Sequence, residues 1–490
     1  MLLHETEMAK SIVLITVDCL RADHVGFLGY PRNTTPVLDS LASDSVVFSN
    51  AIVAGSPTYY SLPAIMTSRN PLALGRDVIG IAPGEPTIAS MLRQSGYATA
   101  AFLAGNPYLS ARFGYDIGFE TFRDFLDVKN AVVQKAGDPS RINRYLSKAS
   151  HSLGPVGAVY DELYFRYCQN KVKSPTESFE SLRRFPSADA IIDDATSFLE
   201  SVSFGPFFLW LHLMDAHSPY YPKDEALRLL GIETSASHAR YLNSYWNRND
   251  IGPKRLQRHH DEIVALYDAG IRWVDSQIGR FAEELRRRKI WDDCIVVVSA
   301  DHGEEFVEQG GRYHSPAKLT EELIHVPLLI HGSGCKSQVR KEPFSLVDLG
   351  PTILDAAGIM PPTSFRGKSV WQPAIGPAPP VVVESVSTCS NPMQLQGRSG
   401  PRMIVVRDSV YKLVIDFGGS RCDLFNLESD PQEVSPIPSP AENLTRRRLL
   451  ECARSHISRS ILHQNAVQRM DACLRDLQLE CGDMVGSISA

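Results

Sequence analysis

The stretch Ile295-Val-Val-Val-Ser-Ala-Asp-His-Gly-Glu304 decides how the rest of the chain is read. An isoleucine and three valines in an unbroken apolar run predict a strand buried on both faces, as inside a parallel sheet. The run then stops at an acid, an imidazole and a glycine. In open α/β sheets ligands bind beyond the carboxyl ends of the strands, so Asp301 and His302 stand where oxygen and nitrogen donors could hold a divalent metal. Taken alone, the pair also reads as a capping Asp and a satisfied surface His.

A second run of the same form, Ser11-Ile-Val-Leu-Ile-Thr-Val-Asp18, ends in an acid near the N-terminus. If the two strands lie parallel in one sheet, Asp18 and Asp301 share an edge, and their carboxylates repel unless a cation lies between them. Between these runs, Gly55-Ser-Pro-Thr-Tyr-Tyr-Ser-Leu-Pro63 is turn-rich and leads into the apolar Ala64-Ile-Met66. A hydroxyl there sits at a helix start, where backbone N–H groups and the helix dipole favour an anion.

Helix and strand signals alternate around these runs. Thr35-Pro-Val-Leu-Asp-Ser-Leu-Ala42 has a Thr cap and a Pro at the first helical position. Val46-Val-Phe48 with Ile52-Val53 reads as a strand, Thr87-Ile-Ala-Ser-Met-Leu92 as a helix closed by Gly96, and Ala98-Thr-Ala-Ala-Phe-Leu103 as the next strand. This order predicts an α/β fold, a mostly parallel sheet flanked by helices. Residues 261–289 form a long helix with Ile263, Leu266, Ile271, Val274, Ile278 and Phe281 at helical intervals, leading to the strand at 294–300. Val326-Pro-Leu-Leu-Ile330 is another buried strand and 346–354 another helix. Past a Pro-rich passage at 371–380, the short runs Val381-Val-Val383, Met403-Ile-Val-Val406, Tyr411-Lys-Leu-Val-Ile415 and Asp423-Leu-Phe425 suggest a small antiparallel sheet. The expected organisation is a catalytic α/β domain over 1–375, a small antiparallel sheet subdomain over 376–435 and a helical tail over 436–490, basic at Arg446-Arg-Arg448 and packed on the body with a solvated face. Two helical insertions, about 123–190 and 223–260, flank the strand at 206–213 and could wall the active-site edge or be plain decoration.

Composition bounds the function. At 490 residues a large domain plus a smaller one is expected, and 43% hydrophobic with 22% charged residues is a globular balance. A net charge of −6 without a basic stripe argues against nucleic acid as a partner. The start Met1-Leu-Leu-His-Glu-Thr-Glu-Met-Ala-Lys10 lacks the basic segment and apolar core of a signal peptide. No apolar run approaches the roughly 20 residues of a membrane span, so a cytoplasmic protein is expected. The nine cysteines are scattered with no CxxC pair, which indicates neither a disulfide framework nor a structural zinc site.

Five blocks taken in order carry a resemblance: Val17-Asp-Cys-Leu-Arg-Ala-Asp-His24, Asn33-Thr-Thr-Pro-Val-Leu-Asp39, Thr58-Tyr-Tyr-Ser61 with Thr67-Ser-Arg69, His212-Leu-Met-Asp-Ala-His-Ser-Pro-Tyr220, and Asp301-His-Gly-Glu304. Together they resemble the successive signatures of the sulfatase family within the alkaline phosphatase superfamily, to about residue 430. The resemblance implies an alkaline-phosphatase-like sheet, a small C-terminal sheet, and metal-dependent hydrolysis or transfer of a sulfate or phosphate ester, whether small or linked to a glycan or lipid. It places the nucleophile at Thr58. Formylglycine sulfatases start from Cys or Ser in a C/S-x-P-x-R motif; this chain has neither that residue nor the Arg, and Thr cannot be oxidised to the aldehyde. The pattern is therefore that of the Thr-nucleophile phosphodiesterase and phosphoethanolamine-transferase relatives, with a metal-activated alkoxide.

On the same resemblance the metal ligands are Asp18, Thr58, Asp301 and His302. Cys19 stands where formylglycine sulfatases have a second acid, and His302 where they have Asn. The mixed O/N set suits zinc or manganese better than calcium or magnesium, which remain open. His217 and His314 are candidates for a second metal, for substrate contact or for protonating the leaving group. Asn106 resembles a substrate contact, and His212 reads as a buried strand histidine. A non-catalytic relative that keeps the fold as a binding module is the competing reading, against which the intact Asp18, Thr58, Asp301 and His302 count.

Overall fold

The computed structural model describes residues 9–71, 80–126, 155–172, 177–202, 205–332, 334, 336–373, 376–386 and 402–459. Its main sheet is built from β1 (Ser11–Val17), β2 (Ser45–Ile52), β3 (Ala98–Leu103), β4 (Thr121–Arg123), β5 (Phe207–Leu213) and β6 (Cys294–Ala300). A two-stranded ribbon follows, β7 (Glu305–Phe306) with β8 (Arg312–Tyr313), and then β9 (His325–His331), β10 (Gln338–Arg340) and β11 (Phe344–Ser345) complete the large sheet. Its order is β10-β2-β9-β6-β1-β5-β3-β4, with β11 also paired to β2. The central strands β1, β5 and β6 are parallel and buried on both faces, which is why each reads as an apolar run without alternation.

Among the described strands of this sheet only β9 runs against its neighbours, β2 and β6. The run Val326–Ile330 is as apolar as the parallel strands, so its direction is set by its connection: the ribbon and a short helix, Glu321–Ile324, return the chain alongside β6 without a crossover. The 28-residue helix His260–Arg287 lays an apolar stripe of Ile263, Leu266, Ile271, Val274, Ile278 and Phe281 on the sheet. Gly270 on that stripe lets the helix approach the loop after β5, since a Cβ there would sit 2.2 Å from the Asp215 carbonyl oxygen.

The C-terminal sheet is β12 (Val381–Val386), β13 (Arg402–Arg407), β14 (Tyr411–Asp416) and β15 (Arg421–Asn426), antiparallel in that order. The period of two sorts its side chains: Met403 and Val405 join Val381 and Val383 on the main core, whereas Ile404 and Val406 face the helix Asn443–Arg459 through Leu449, Leu450, Ala453 and Ile457. That helix packs on the small sheet, and not all its basic residues lie in solvent. Arg446 is buried, donating to the carbonyls of Cys422 (3.1 Å) and Ile437 (2.8 Å). Likewise Thr35 begins its helix without capping it, because its hydroxyl accepts from Gly26 N and donates to Asp39. Residues 460–490 of the expected tail lie outside the described residues, as do 1–8, on which the reading against a signal peptide rests.

Residues 127–154 of the first insertion are also outside the described set. Its described helices, Pro155–Val172 and Phe179–Leu182, pack against the helices of the second, where Arg248 and Arg255 both meet Glu162 at 3.0 and 2.6 Å and Phe165 meets the rings of Tyr241 and Tyr245. Among the described residues no helix is long and apolar enough to cross a membrane, and the five described cysteines are free thiols.

Candidate functional site

The register of β1 and β6 pairs Val17 with Ala300, so the next residue of each, Asp18 and Asp301, stands side by side at the carboxyl edge. Both are fully buried. Beyond Asp18 the chain turns at Cys19, whose φ of 63° is left-handed. Tyr267 of the long helix holds this turn, donating to the Cys19 carbonyl (2.7 Å) and accepting from Arg21 N (3.0 Å). Beyond Asp301 the turn needs Gly303, since a Cβ would lie 1.9 Å from the Glu322 carbonyl oxygen.

Thr58 opens the helix Thr58–Thr67, whose every residue is buried. Its hydroxyl lies 3.0 Å from His302 Nε2, which is also 3.6 Å from an Asp18 oxygen and 3.5 Å from Asp301 Oδ2. The other ring nitrogen of His302, Nδ1, is 2.8 Å from the Gly303 carbonyl. A carbonyl can only accept, so Nδ1 carries the proton and Nε2 presents its lone pair to Thr58 and the two acids. Burial, then the neighbouring His314, pushes His302 down to about 4, which keeps it neutral near pH 7.

The acids divide their burden unequally. Burial and the charge of Asp18 push Asp301 up to about 7. Burial would raise Asp18 too, but the His217 charge and a hydrogen bond from His212 outweigh it and hold that carboxyl well below the usual range. Asp301 Oδ2 is buried without a hydrogen-bond partner among the described residues. Oxygen and nitrogen donors about 3.0–3.6 Å apart are spaced as the edges of a coordination shell with bonds of roughly 2.0–2.2 Å. Asp18, Thr58, Asp301 and His302 therefore fit a divalent ion, and the orphaned oxygen has no other evident partner.

The remaining sequence candidates surround this set. Asn106 is buried and donates to Asp18 Oδ2 (2.9 Å), a contact that orients a metal-ligand candidate. His217 and His314 face each other with ring centroids 5.1 Å apart, and His314 is 4.5 Å from the His302 ring. Phe185, from the first insertion, meets the His217 ring edge-on at 5.3 Å, so that segment does reach the site's margin.

Three residues in the site were not singled out as functional by their sequence. His212 bridges Thr16 Oγ1 (2.9 Å) and Asp18 Oδ2 (3.3 Å), with Trp210 donating to the same threonine. The pairing of Thr16 with His212 across β1 and β5 was the available signal. Cys19 places its sulfur 3.1 Å from Asp18 Oδ1 and 3.4 Å from His314 Nδ1. Strand parity would have sent it to the opposite face from Asp18; its left-handed φ brings both to one side. Glu304 is fully buried and turns its carboxylate toward His314.

The family model described as Sulfatase matches residues 10–359. An arylsulfatase of Clostridium perfringens is 26% identical over 89% of this chain and 91% of its own length. The multifunctional alkaline phosphatase superfamily protein PehA of Trinickia caryophylli is 22% identical over 93% and 97%. Among solved structures, the phosphonate monoester hydrolase of Agrobacterium radiobacter superposes with a TM-score of 0.60 at 18% identity, covering 92% of this chain and 95% of that one.

Proposed function

Since the chain belongs to the sulfatase family, we propose that it is a metal-dependent hydrolase of sulfate or phosphate esters that attacks through Thr58. Relatives named for arylsulfate and phosphonate ester hydrolysis support the ester class. The observation that carries the nucleophile is the Thr58 hydroxyl 3.0 Å from His302 Nε2, on a helix N-terminus beside two buried acids. When bound by Asp18, Thr58, Asp301 and His302, a divalent ion, zinc or manganese by this donor set, supplies positive charge that favours the Thr58 alkoxide and offsets charge on the transferred group.

The protein's own groups do the rest. Thr58 Oγ1 gives its proton to solvent water and forms a bond to the sulfur or phosphorus, and the ester oxygen departs with its electron pair. His314 or His217, at the open side, delivers a proton to that oxygen. Water then cleaves the sulfuryl or phosphoryl group from Thr58, restoring the hydroxyl. Asn106 and His212 keep Asp18 aimed through both steps. The helix N-terminus at Thr58 favours the anionic group being transferred. The first insertion, which reaches His217 through Phe185, shapes which leaving groups fit.

Thr58→Ala is expected to lose ~10³-fold or more in kcat on whichever aryl sulfate, phosphate monoester or phosphodiester the wild type accepts, by analogy with other nucleophile deletions. Thr58→Ser retains part of the activity. Mass spectrometry of quenched wild type should find the sulfuryl or phosphoryl adduct on Thr58, and its mass identifies the transferred group. Full turnover by Thr58→Ala refutes the assignment.

A further inference from the structure

We propose that the groove between the short helix Pro36–Ala42 and the long helix His260–Arg287 binds a medium-chain alkyl carboxylate, its head group on Arg272. No residue of the Thr58 site lines this groove, and the inference does not depend on the reading of that site. Three observations carry it.

The first is an unfilled space with an apolar floor. The two helices close on each other at Gly279, where a Cβ would sit 3.0 Å from Val37 Cγ2. One turn from that contact the facing residues are small, Ser40, Ser276 and Ala282, and a cavity of about 530 Å³ remains. Ligand pockets span roughly 300–1,000 Å³. The floor is Ile15, Leu41, Ile278, Phe281, Leu285 and Val296, aliphatic but for one ring. Such a surface rewards burial of a flexible chain and gives a flat ring little to stack on.

The second is a cation short of acceptors. Arg272 lines the groove with its side chain 14% exposed. Its one acceptor among the described residues is Asp275, 3.1 Å from a terminal nitrogen, and Nε is buried without a partner. Asp275 is also spent on the short helix, accepting from Val37 N (3.1 Å) and Leu38 N (2.9 Å). Burial pushes its carboxyl up to about 7, so near neutral pH it is a weak counter-charge. A guanidinium carries five N–H donors in a fork that matches a carboxylate, and this one has most of them to spare.

The third is polarity along the groove. From Arg272 to Arg286 the long helix runs roughly 20 Å at about 1.5 Å per residue. The far end carries the acids, Asp44 and Glu283. Arg286 there is already engaged, 2.8 Å from Glu283 and 4.3 Å over the Trp291 ring, which packs on His331 at 4.7 Å. An anion is therefore favoured at Arg272 and opposed at the other end. The groove suits an elongated ligand charged at one end only, and orients it.

Decanoate below its micellar concentration is the probe, titrated into the full-length protein by calorimetry. Wild type is expected to bind one equivalent saturably, with affinity rising about fourfold per methylene from hexanoate to decanoate. Decanol, which has the same tail without the charge, should bind on the order of tenfold more weakly, the loss of a charge-assisted hydrogen bond. Arg272→Gln should erase that preference for the acid. Ser40→Trp, at an exposed position, should fill the groove and abolish binding of both. Thr58→Ala should bind decanoate as wild type does, which separates the groove from the ester site. Should Arg272→Gln not fold, the decanol comparison in wild type and the Ser40→Trp variant decide. No saturable binding, decanol as tight as decanoate, an affinity flat with chain length, or decanoate binding that survives in Ser40→Trp or is lost in Thr58→Ala overturns the proposal.

Discussion

Two places in this molecule bury acids, and they differ in what answers the charge. Where the C-terminal sheet meets the helix Glu321–Ile324, Lys412 Nζ lies 2.7 Å from Glu433 and 3.2 Å from Glu321, and Arg407 Nε lies 3.0 Å from Glu321. Two acids face two permanent cations, and Glu433 also accepts from the Glu321 backbone N–H (2.7 Å). At the carboxyl edge of β1 and β6, Asp18, Asp301 and Glu304 have histidines for company and no Lys or Arg in ion-pair contact among the described residues. The first cluster is closed by the chain and ties the small sheet to the body. The second has only histidines against its acids, and on the proposed reading an ion completes it.

The largest effect that separates them should come from Lys412. It is wholly buried, so Lys412→Ala strands Glu433 and half of Glu321, and removing one partner of a buried pair typically costs about 3–5 kcal/mol. Thermal or urea unfolding should show that loss. Replacing Lys412 by Met together with Glu433 by Leu should recover most of it, since an apolar pair of similar volume removes both charges at once. If the single variant unfolds like wild type, the cluster is not what holds the small sheet.

A second separation comes from acid. Burial would raise Glu321, but Lys412 and Arg407 outweigh it and hold the carboxyl below its ordinary value. The unfolded chain therefore takes up this proton first as pH falls. The stability Glu321 contributes is complete above the ordinary carboxylate range and is lost progressively below it. Glu433 moves the other way, raised by burial and by Glu321 more than Lys412 lowers it, so it offsets part of the gain. Unfolding free energies measured from neutral pH downward should fall less steeply in Glu321→Gln than in wild type. Parallel curves would remove Glu321 from the account of acid stability.

Neither cluster was equally visible in the sequence, for physical reasons. The strands ending at Asp18 and Asp301 announce themselves because a strand buried on both faces must be apolar throughout, and a charge at its end then has few explanations. The direction of β9 left no such trace, since Val326–Ile330 is equally apolar whichever way it runs. Cys19 was legible only as a departure from the family's second acid; that its sulfur comes within 3.1 Å of Asp18 Oδ1 depends on a left-handed turn that the apolar run before it does not announce. The Lys412 cluster joins residues from 321, 407, 412 and 433, each an ordinary surface residue in its local sequence. Only the folded chain shows that Lys412 is interior.

The smallest effect is the one that tests the comparison most sharply, because it should have the opposite sign. In metal-free protein Asp301 faces Asp18 with no intervening cation, and burial with that neighbour already pushes its carboxyl up to about 7. Asp301→Asn keeps the shape and removes the repulsion, so metal-free protein should gain stability, on the order of 1 kcal/mol, as is common when a functional site's strain is relieved. The same change removes a ligand, so elemental analysis should find less metal and activity should collapse. Wild type is expected to overtake the variant once metal is added, because an ion that binds only the folded state stabilises it by mass action. The matching change in the closed cluster, Glu321→Gln, has no such reversal: it leaves Lys412 and Arg407 with one acid between them and lowers stability with or without metal. Should Asp301→Asn instead destabilise the metal-free protein as Glu321→Gln does, the acids at the sheet edge are structural like their counterparts, and the case for an ion between Asp18 and Asp301 fails.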